Sequence, residues 1–254
     1  MGLPRMLRFK RSLRRSLNGA RVRAVRRLSV GWMFIIVSSG LTGCSNSQRQ
    51  APEPERIAVH THQIDGLTVR TGDLICTSTG GKSMFTGFLW RAFGMVIPGA
   101  VDHIAVYVGP GGRCVEAGAK LRVITFDVTG NTWDESKMSK QRGPLFDALY
   151  GVAYPLAGRS LSREEEARIR RGVASYCLKQ AEAKKPYNPV FTESMTENAF
   201  YCSQLAYKAY LGQGLDLNTG QGVPHIPGTD SIVFPQEIWS GCEHERAANR
   251  PPGS

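Results

Sequence analysis

Residues 102–117, which read DHIAVYVGPGGRCVEA, decide how we expect this chain to fold. Large and small apolar groups alternate in the first half of the stretch, a Pro-Gly-Gly turn follows, and a second apolar segment ends it. Two strands joined across such a turn predict a β-hairpin. Antiparallel pairing about the turn places His103 roughly opposite positions 116–118, so the carboxylate of Glu116 can reach the imidazole.

Asp102 offers a second carboxylate beside His103 in the chain. Because adjacent residues of a strand point to opposite faces, the side chain of Asp102 is directed away from the imidazole. We therefore expect Glu116 to be the partner of His103.

Residues 198–214, which read NAFYCSQLAYKAYLGQG, predict a helix that begins near Cys202 and ends at Gly212 or Gly214. Cys202 falls in the first turn, where unpaired N–H groups and the positive end of the helix dipole favour a thiolate. A cysteine in a helix is also a common core residue, so a packing role and a nucleophilic role both stay open for Cys202 on this pattern alone.

Further elements follow from local patterns. A capping box at Ser162 predicts the start of another helix, with Cys177 on its apolar face. Residues 84–97 predict either a core helix or a wall of a substrate cleft. Residues 129–147 are polar and rich in turn residues, an excursion that we expect to affect substrate access rather than chemistry. Short strands are predicted at residues 71–76, 122–126 and 149–154.

Several short motifs, taken in order, resemble those of the permuted papain-like amidases, in the YiiX-like branch of the superfamily that includes cell-wall peptidases and the lecithin:retinol acyltransferase group. The resemblance covers about residues 67–240, and the histidine strand precedes the cysteine helix, as it does in the permuted branch. The motifs are GDLI at 72–75, DHIAVYVG at 102–109, VEA at 115–117, KPYN at 185–188, YCSQL at 201–205 and PQEI at 235–238.

This resemblance implies an α+β, circularly permuted papain-like fold, with an antiparallel sheet packed against the helix that carries the nucleophile. By it, Cys202 is the nucleophile, His103 is the general base and Glu116 orients the imidazole. The backbone N–H of Cys202 would be one oxyanion donor. Tyr201, or a backbone group near Ser78, is the candidate for the second donor, and both residues are expected to contact substrate.

Other candidate sites are weaker, and we predict neither a metal ion nor a cofactor. The stretch TSTGGKS at 77–83 has Cys76 where a phosphate-binding loop needs its first glycine. The His-Thr-His triplet at 60–62 and the Cys-Glu-His triplet at 242–244 have no further metal ligand nearby in the sequence.

The amino-terminal segment predicts an export signal. Basic residues are followed by the apolar run VGWMFIIV at 30–37 and by LTGC at 41–44, which resembles a bacterial lipobox. We expect a lipoprotein signal peptide over residues 1–43, a lipidated Cys44 with a flexible spacer over 44–56, and a hydrolase domain over 57–254. A membrane helix with an incidental cysteine is the alternative, but the apolar run is too short to span a bilayer stably.

Composition bounds the remaining domain. The chain has 254 residues, of which 41% are hydrophobic, enough for one sizeable domain, and a net charge of +11. Ten basic and no acidic residues fall in 1–43, which leaves 22 basic against 21 acidic residues elsewhere. Nucleic acid is therefore not an expected partner. Apart from Cys44 there are five cysteines, an odd number that indicates a separate role for one thiol.

Together these patterns predict a cysteine amidase or peptidase that cleaves an amide bond through a thioester, with peptidoglycan stem peptides as one substrate class. We expect a monomer anchored by its lipid in the bacterial cell envelope, on the periplasmic face of the outer membrane. Two alternatives stay open. One is a thioesterase or acyltransferase that acts on lipids, which the apolar residues 84–97 would suit, and the other is a non-catalytic lipoprotein that binds a ligand in the same cleft.

Overall fold

The computed structural model describes residues 57–79, 99–144, 147–225 and 227–248. All of them belong to the predicted hydrolase domain. The predicted signal peptide, Cys44, the spacer, most of the glycine-rich stretch at 77–83 and the segment 84–97 lie outside the described residues.

The described residues form a mixed α+β structure with eight strands. The strands are β1 Thr61–Ile64, β2 Leu67–Arg70, β3 Leu74–Ser78, β4 His103–Tyr107, β5 Arg113–Ala117, β6 Val123–Asp127, β7 Ala148–Tyr154 and β8 Glu243–Arg246. Six of these strands form one antiparallel sheet in the order β6-β5-β4-β3-β7-β8, while β1 and β2 pair separately as a ribbon. The predicted α+β class with an antiparallel sheet is confirmed.

Four helices accompany the strands in this part of the chain: α1 Glu135–Arg142, α2 Arg163–Glu182, α3 Cys202–Leu211 and α4 Pro235–Gly241. As the capping pattern predicts, Ser162 precedes α2 and its side chain accepts a hydrogen bond from the N–H of Glu165. No helix among the described residues has the length and apolar composition needed to cross a lipid bilayer.

Buried apolar side chains cover both faces of the sheet. On one face, Ile104 packs in a cluster with Val173 of α2 and Leu205 of α3. On the other face, Tyr107 belongs to a cluster that includes residues of the β1-β2 ribbon and Met138 of α1. The sheet is therefore the middle layer, with the long helices on one side and the ribbon with α1 on the other.

The predicted hairpin of β4 and β5 is confirmed. Val106 pairs with Val115, and Tyr107 pairs with Cys114. Continuing this register towards the start of β4 brings His103 opposite position 118, within the predicted range. His103 and Glu116 consequently face the same side of the sheet.

Helix α1 lies inside the excursion 129–147, for which the sequence pattern indicated only turns. Asp134 caps its start by accepting a hydrogen bond from the N–H of Lys137, and Gly143 ends it with a φ of 84°. Met138 and Arg142 are the buried residues of this helix. With a single apolar side chain in eight residues, α1 lacks the apolar periodicity by which an amphipathic helix is identified.

We expect Met138→Ala to lower the free energy of unfolding by about 2–5 kcal/mol, because it leaves a cavity where α1 meets the sheet. Urea titration followed by circular dichroism measures this difference. Met195→Ala removes the same atoms from a residue that is 62% exposed, and should change stability by no more than about 0.5 kcal/mol. Equal losses in the two variants would contradict the buried position of Met138.

Candidate active site

His103 and Glu116 form the centre of the candidate site. His103 is the first residue of β4 and is 6% exposed, while the side chain of Glu116 on β5 is fully buried. Nε2 of the imidazole lies 2.8 Å from Oε2 of Glu116. This bond occupies Nε2, so Nδ1 is the ring nitrogen left for another partner.

Cys202 approaches His103 from the helical layer. It is the first residue of α3, a helix that packs against β4 and β5. The sulfur lies close enough to His103 for the charge of Cys202 to raise the pKa of the imidazole. Since Nε2 is engaged by Glu116, Nδ1 is the atom available to the sulfur. The structure thus brings together all three residues that the sequence predicted as catalytic.

The environment of His103 favours its protonated form. Burial by itself lowers the pKa of the imidazole. The charge and hydrogen bond of Cys202, followed by the hydrogen bond and charge of Glu116, outweigh burial and raise the pKa of His103 well above its ordinary value. The positively charged form of the ring is the form that these interactions stabilise.

Glu116 is held as a carboxylate by cations on two sides. Burial raises the pKa of Glu116, but the charge of Arg142, followed by the hydrogen bond and charge of His103, outweighs burial and lowers the pKa to about 2. Glu116 is therefore ionised at neutral pH and accepts the hydrogen bond from His103 with full negative charge.

Arg142, the last residue of α1, was not among the predicted site residues. Its guanidinium group binds the carboxylate of Glu116 on one side and that of Asp147 on the other, with shortest distances of 2.8 Å and 2.7 Å. Its side chain is 1% exposed. The turn-rich sequence around Arg142 contains no signal that marks a buried cation, which is the least expected type of core residue.

Tyr201 and Ser78 were predicted to contact substrate. The hydroxyl of Tyr201 donates to the carbonyl of Phe191 and accepts from the N–H of Val233, and its N–H donates to Gln204. Tyr201 thus uses both groups inside the protein, as a structural residue does. Ser78 ends β3 next to Thr77, which pairs with His103, so it lies at the same end of the sheet as the imidazole.

Asp102, the alternative partner of His103, is engaged elsewhere. Its carboxylate accepts hydrogen bonds from the N–H and the hydroxyl of Thr79, at 2.9 Å and 2.5 Å. The imidazole donates its hydrogen bond to Glu116 instead, as the sequence pattern predicted.

Gln204 fixes the start of α3. Its Oε1 accepts hydrogen bonds from the N–H of Tyr201 and from Nδ2 of Asn188, while its Nε2 donates to the carbonyls of Ser194 and Thr196. The side chain is fully buried, so all of these bonds lie in the interior. The loop before α3 is therefore tied to the turn that carries Cys202.

Tyr187, part of the KPYN motif, is a further residue close to the sulfur. Burial, followed by the charge of Cys202, raises the pKa of its phenol. Its N–H donates to the carbonyl of Leu121, which places Tyr187 between the loop after β5 and the start of α3. The KPYN motif by itself does not indicate that Tyr187 lies near the sulfur.

The cysteines do not form disulfides in the described part of the chain, where all five have free thiols. Since none of the five is paired, the odd number does not by itself identify the thiol with a separate role. Cys76, Cys114 and Cys177 are fully buried. For Cys76 and Cys177 this agrees with the core positions expected from the sequence. Burial also raises the pKa of Cys242 to about 11, whereas Cys202 lies beside an imidazole.

The histidine triplet at 60–62 has protein partners. Nε2 of His62 lies 2.9 Å from the carbonyl oxygen of Gly130, and the N–H of His60 donates to Thr71. Across the described ranges, no group of three histidine, cysteine or acidic side chains is arranged to hold a metal ion.

Comparisons with family models, with curated proteins and with solved structures find no match for this chain. The resemblance to the permuted papain-like amidases consequently stays a prediction from the motifs. The functional argument below depends on the geometry of the chain's own residues.

We expect Cys202→Ala to lower the pKa of His103, because the variant loses the two largest upward influences while burial still lowers it. The imidazolium should therefore lose its proton at a lower pH than in the wild type. Titration of the imidazole signals by NMR measures this, with His103→Ala to assign the signal. Cys177→Ala removes another buried thiol and should leave the titration unchanged. An identical His103 titration in Cys202→Ala would show that sulfur and ring do not interact.

Proposed function

We propose that this protein is a cysteine hydrolase that cleaves an amide bond through a thioester on Cys202. The observation that carries the proposal is the arrangement of Cys202, His103 and Glu116, in which one imidazole bonds to a buried carboxylate and lies near a sulfur at a helix start that raises its pKa. A nucleophile, a proton carrier and an orienting acceptor are the three groups that covalent acyl transfer requires.

The chemistry follows from this geometry. The sulfur anion of Cys202 attacks the carbonyl carbon of the substrate, and the N–H of Cys202 at the free end of α3 stabilises the resulting oxyanion. His103, protonated at this stage, gives its proton to the leaving amine as the C–N bond breaks and the thioester remains. Neutral His103 then takes a proton from water, whose oxygen attacks the thioester; the acid is released, and Cys202 leaves as a thiolate beside the protonated imidazole, as at the start of the cycle. Glu116 keeps Nδ1 directed at the reaction.

The order of elements supports a circularly permuted papain-like fold. The strand that begins with His103 comes before the helix that begins with Cys202 in the chain, and the two pack together in the structure. The antiparallel sheet beneath the cysteine helix is the second feature that such a fold requires.

The proposed substrates are peptides of the bacterial envelope, including peptidoglycan stem peptides. This part of the proposal depends on the lipobox-like LTGC at 41–44, which would anchor the enzyme by its lipid at the outer membrane. A tethered enzyme acts on substrates within reach of its spacer, and peptide amides are abundant there.

A lipid-acting thioesterase or acyltransferase is the second candidate function. Two apolar side chains, Leu121 at 55% and Val190 at 46% exposure, lie on the two loops next to Tyr187. Because Tyr187 lies near the sulfur, these loops border the site, and apolar groups there would suit an acyl chain.

We expect thiol alkylation to distinguish an enzyme from a non-catalytic ligand-binding lipoprotein. Cys202 should react with iodoacetamide well below pH 8, and His103→Ala should reduce its rate at pH 7 by at least about tenfold, because the imidazolium no longer stabilises the thiolate. Peptide mass spectrometry measures the rate for each cysteine. Cys242 in the same sample is the internal control and should react slowly in both proteins. Equal rates for Cys202 with and without His103 would favour the binding module.

We expect the full-length protein to release products from envelope extracts that Cys202→Ala does not release. Peptides with newly formed amine and carboxyl ends would identify an amidase, and free fatty acids would identify the lipid-acting alternative. Mass spectrometry of the soluble and lipid fractions measures both. Cys177→Ala controls for the loss of a buried thiol and should release the wild-type products, while His103→Ala should be slower by about 10²–10⁴-fold. Identical products from wild type and Cys202→Ala would exclude both activities.

A further inference from the structure

A row of buried charges continues from the candidate triad to the far side of the sheet. Beyond Glu116 lies the guanidinium group of Arg142, and beyond Arg142 lies the carboxylate of Asp147. All three side chains are almost completely buried. Arg142 and Asp147 both belong to the excursion 129–147, and the sequence pattern marks neither of them as a site residue.

The guanidinium group donates hydrogen bonds to both carboxylates. Nε lies 3.1 Å from each oxygen of Glu116, and Nη2 lies 2.8 Å from Oε2 of the same residue. Nη1 and Nη2 lie 2.7 Å and 2.9 Å from the two oxygens of Asp147. The planar fork of arginine suits two carboxylates at once, which a lysine ammonium cannot reproduce.

Aromatic rings hold the guanidinium group in place. Its central carbon lies 4.7 Å from the centre of the Phe126 ring and 4.8 Å from that of Trp133. The indole N–H of Trp133 donates to the carbonyl of Asp147. Cation–π contacts with rings fixed in this way limit the positions that Arg142 can take.

The other end of the row contacts β3, the strand that pairs with the strand of His103. Asp147 accepts a hydrogen bond of 2.6 Å from the hydroxyl of Thr77 on β3, and Thr77 pairs with His103 across the sheet. Arg142 is therefore connected to His103 by two routes, through Glu116 and through Asp147 with Thr77. A displacement of Arg142 has to move a group that contacts the imidazole.

The charges along this row alternate in sign. Without Arg142, two carboxylates would remain in the interior with only His103 as a cation. An uncompensated buried charge costs several kcal/mol, so a carboxyl group takes up a proton instead. Glu116 in the neutral form is a weaker acceptor and is free to present either oxygen or its hydroxyl to the ring.

We propose that Arg142 is a positioning residue of the proposed hydrolase, which keeps Glu116 ionised and fixed so that the imidazole of His103 faces the sulfur of Cys202. Arg142 touches neither the sulfur nor the substrate and acts through Glu116. The inference rests on the proposed function for its consequence in catalysis. The excursion 129–147 therefore contributes to the chemistry, contrary to the expectation that it affects access alone.

Three further titratable groups face this row. Asp102 stands next to His103 and is influenced by Asp147. Glu135 on α1 is influenced by Asp147 and by Arg142, and Cys114 on β5 by Arg142 and by Glu116. Burial raises the pKa of each of them. These groups are unchanged in the variants below, so their contribution is common to all the proteins compared.

The test is Arg142→Met in the full-length protein, which removes the charge and donors while keeping an extended side chain. We expect the pKa of Glu116 to rise from about 2, since Arg142 is the main influence that lowers it, and the pKa of His103 to fall. Side-chain carbon NMR of labelled glutamate and imidazole NMR measure the two titrations. Alkylation of Cys202 at pH 7 should slow by at least about tenfold.

Two further variants keep the outcome decisive. Met138→Ala weakens the same helix without touching a charge, and it should lower stability while leaving both titrations as in the wild type. Arg142→Lys keeps the charge but not the fork, and it should slow alkylation while Glu116 stays ionised. If Arg142→Met fails to fold, this lysine variant decides, and a wild-type alkylation rate in it would overturn the proposal.

Failure of the proposed function gives a different result. A wild-type protein whose Cys202 is not activated, or which releases no product, would contradict the hydrolase. An activated wild type with the same titrations and the same alkylation rate in Arg142→Met would contradict only the role of Arg142.

Discussion

The buried carboxylate of Glu116 is the interaction on which the rest of the site depends. An ionised carboxylate with no exposure to water is stable only if cations and donors replace the lost hydration, and His103 and Arg142 do so at 2.8 Å each. Those two cations come from different layers of the fold, one from the sheet and one from α1. The carboxylate of Glu116 therefore connects the β4-β5 hairpin to the excursion 129–147. Through the imidazole of His103 it is also connected to the helix that begins at Cys202.

Local patterns were sufficient for the elements that hold the triad. The turn between β4 and β5 sets the register that brings His103 and Glu116 to one face. The Pro-Gly-Gly sequence at 110–112 is sufficient to predict that turn. The start of α3 is likewise encoded close to Cys202. What the pattern could not supply is α1 and Arg142. Glu116, one of the two partners of Arg142, lies 26 residues earlier in the chain, and a polar helix with one apolar residue resembles a loop. Buried ion pairs of this kind are determined by tertiary packing alone.

The residues around Cys202 show a second limit of motif reasoning. Tyr201 is adjacent to Cys202, yet its hydroxyl binds Val233 and Phe191 in the interior. Gln204, in the same motif, holds the preceding loop through four hydrogen bonds. The motif YCSQL thus contains a candidate reactive residue, Cys202, together with residues that keep the start of α3 in place. Spacing does not separate the two roles, because the direction of each side chain depends on the packing of the loop before α3.

The position of α1 also couples folding to the state of the site. A helix of eight residues is not stable by itself in water, so α1 depends on its buried contacts, which are those of Met138 and Arg142. The apolar contact of Met138 does not depend on charge, whereas the ion pair of Arg142 with Glu116 requires the ionised carboxylate. Below neutral pH, protonation of Glu116 near its pKa of about 2 would remove one anchor of α1 at the same time as the orienting charge of His103. The stability that this depressed pKa contributes is present above the ordinary carboxyl range and is lost as the pH falls towards 2. The same carboxylate thus stabilises the excursion and orients the imidazole, and loss of its charge ends both together.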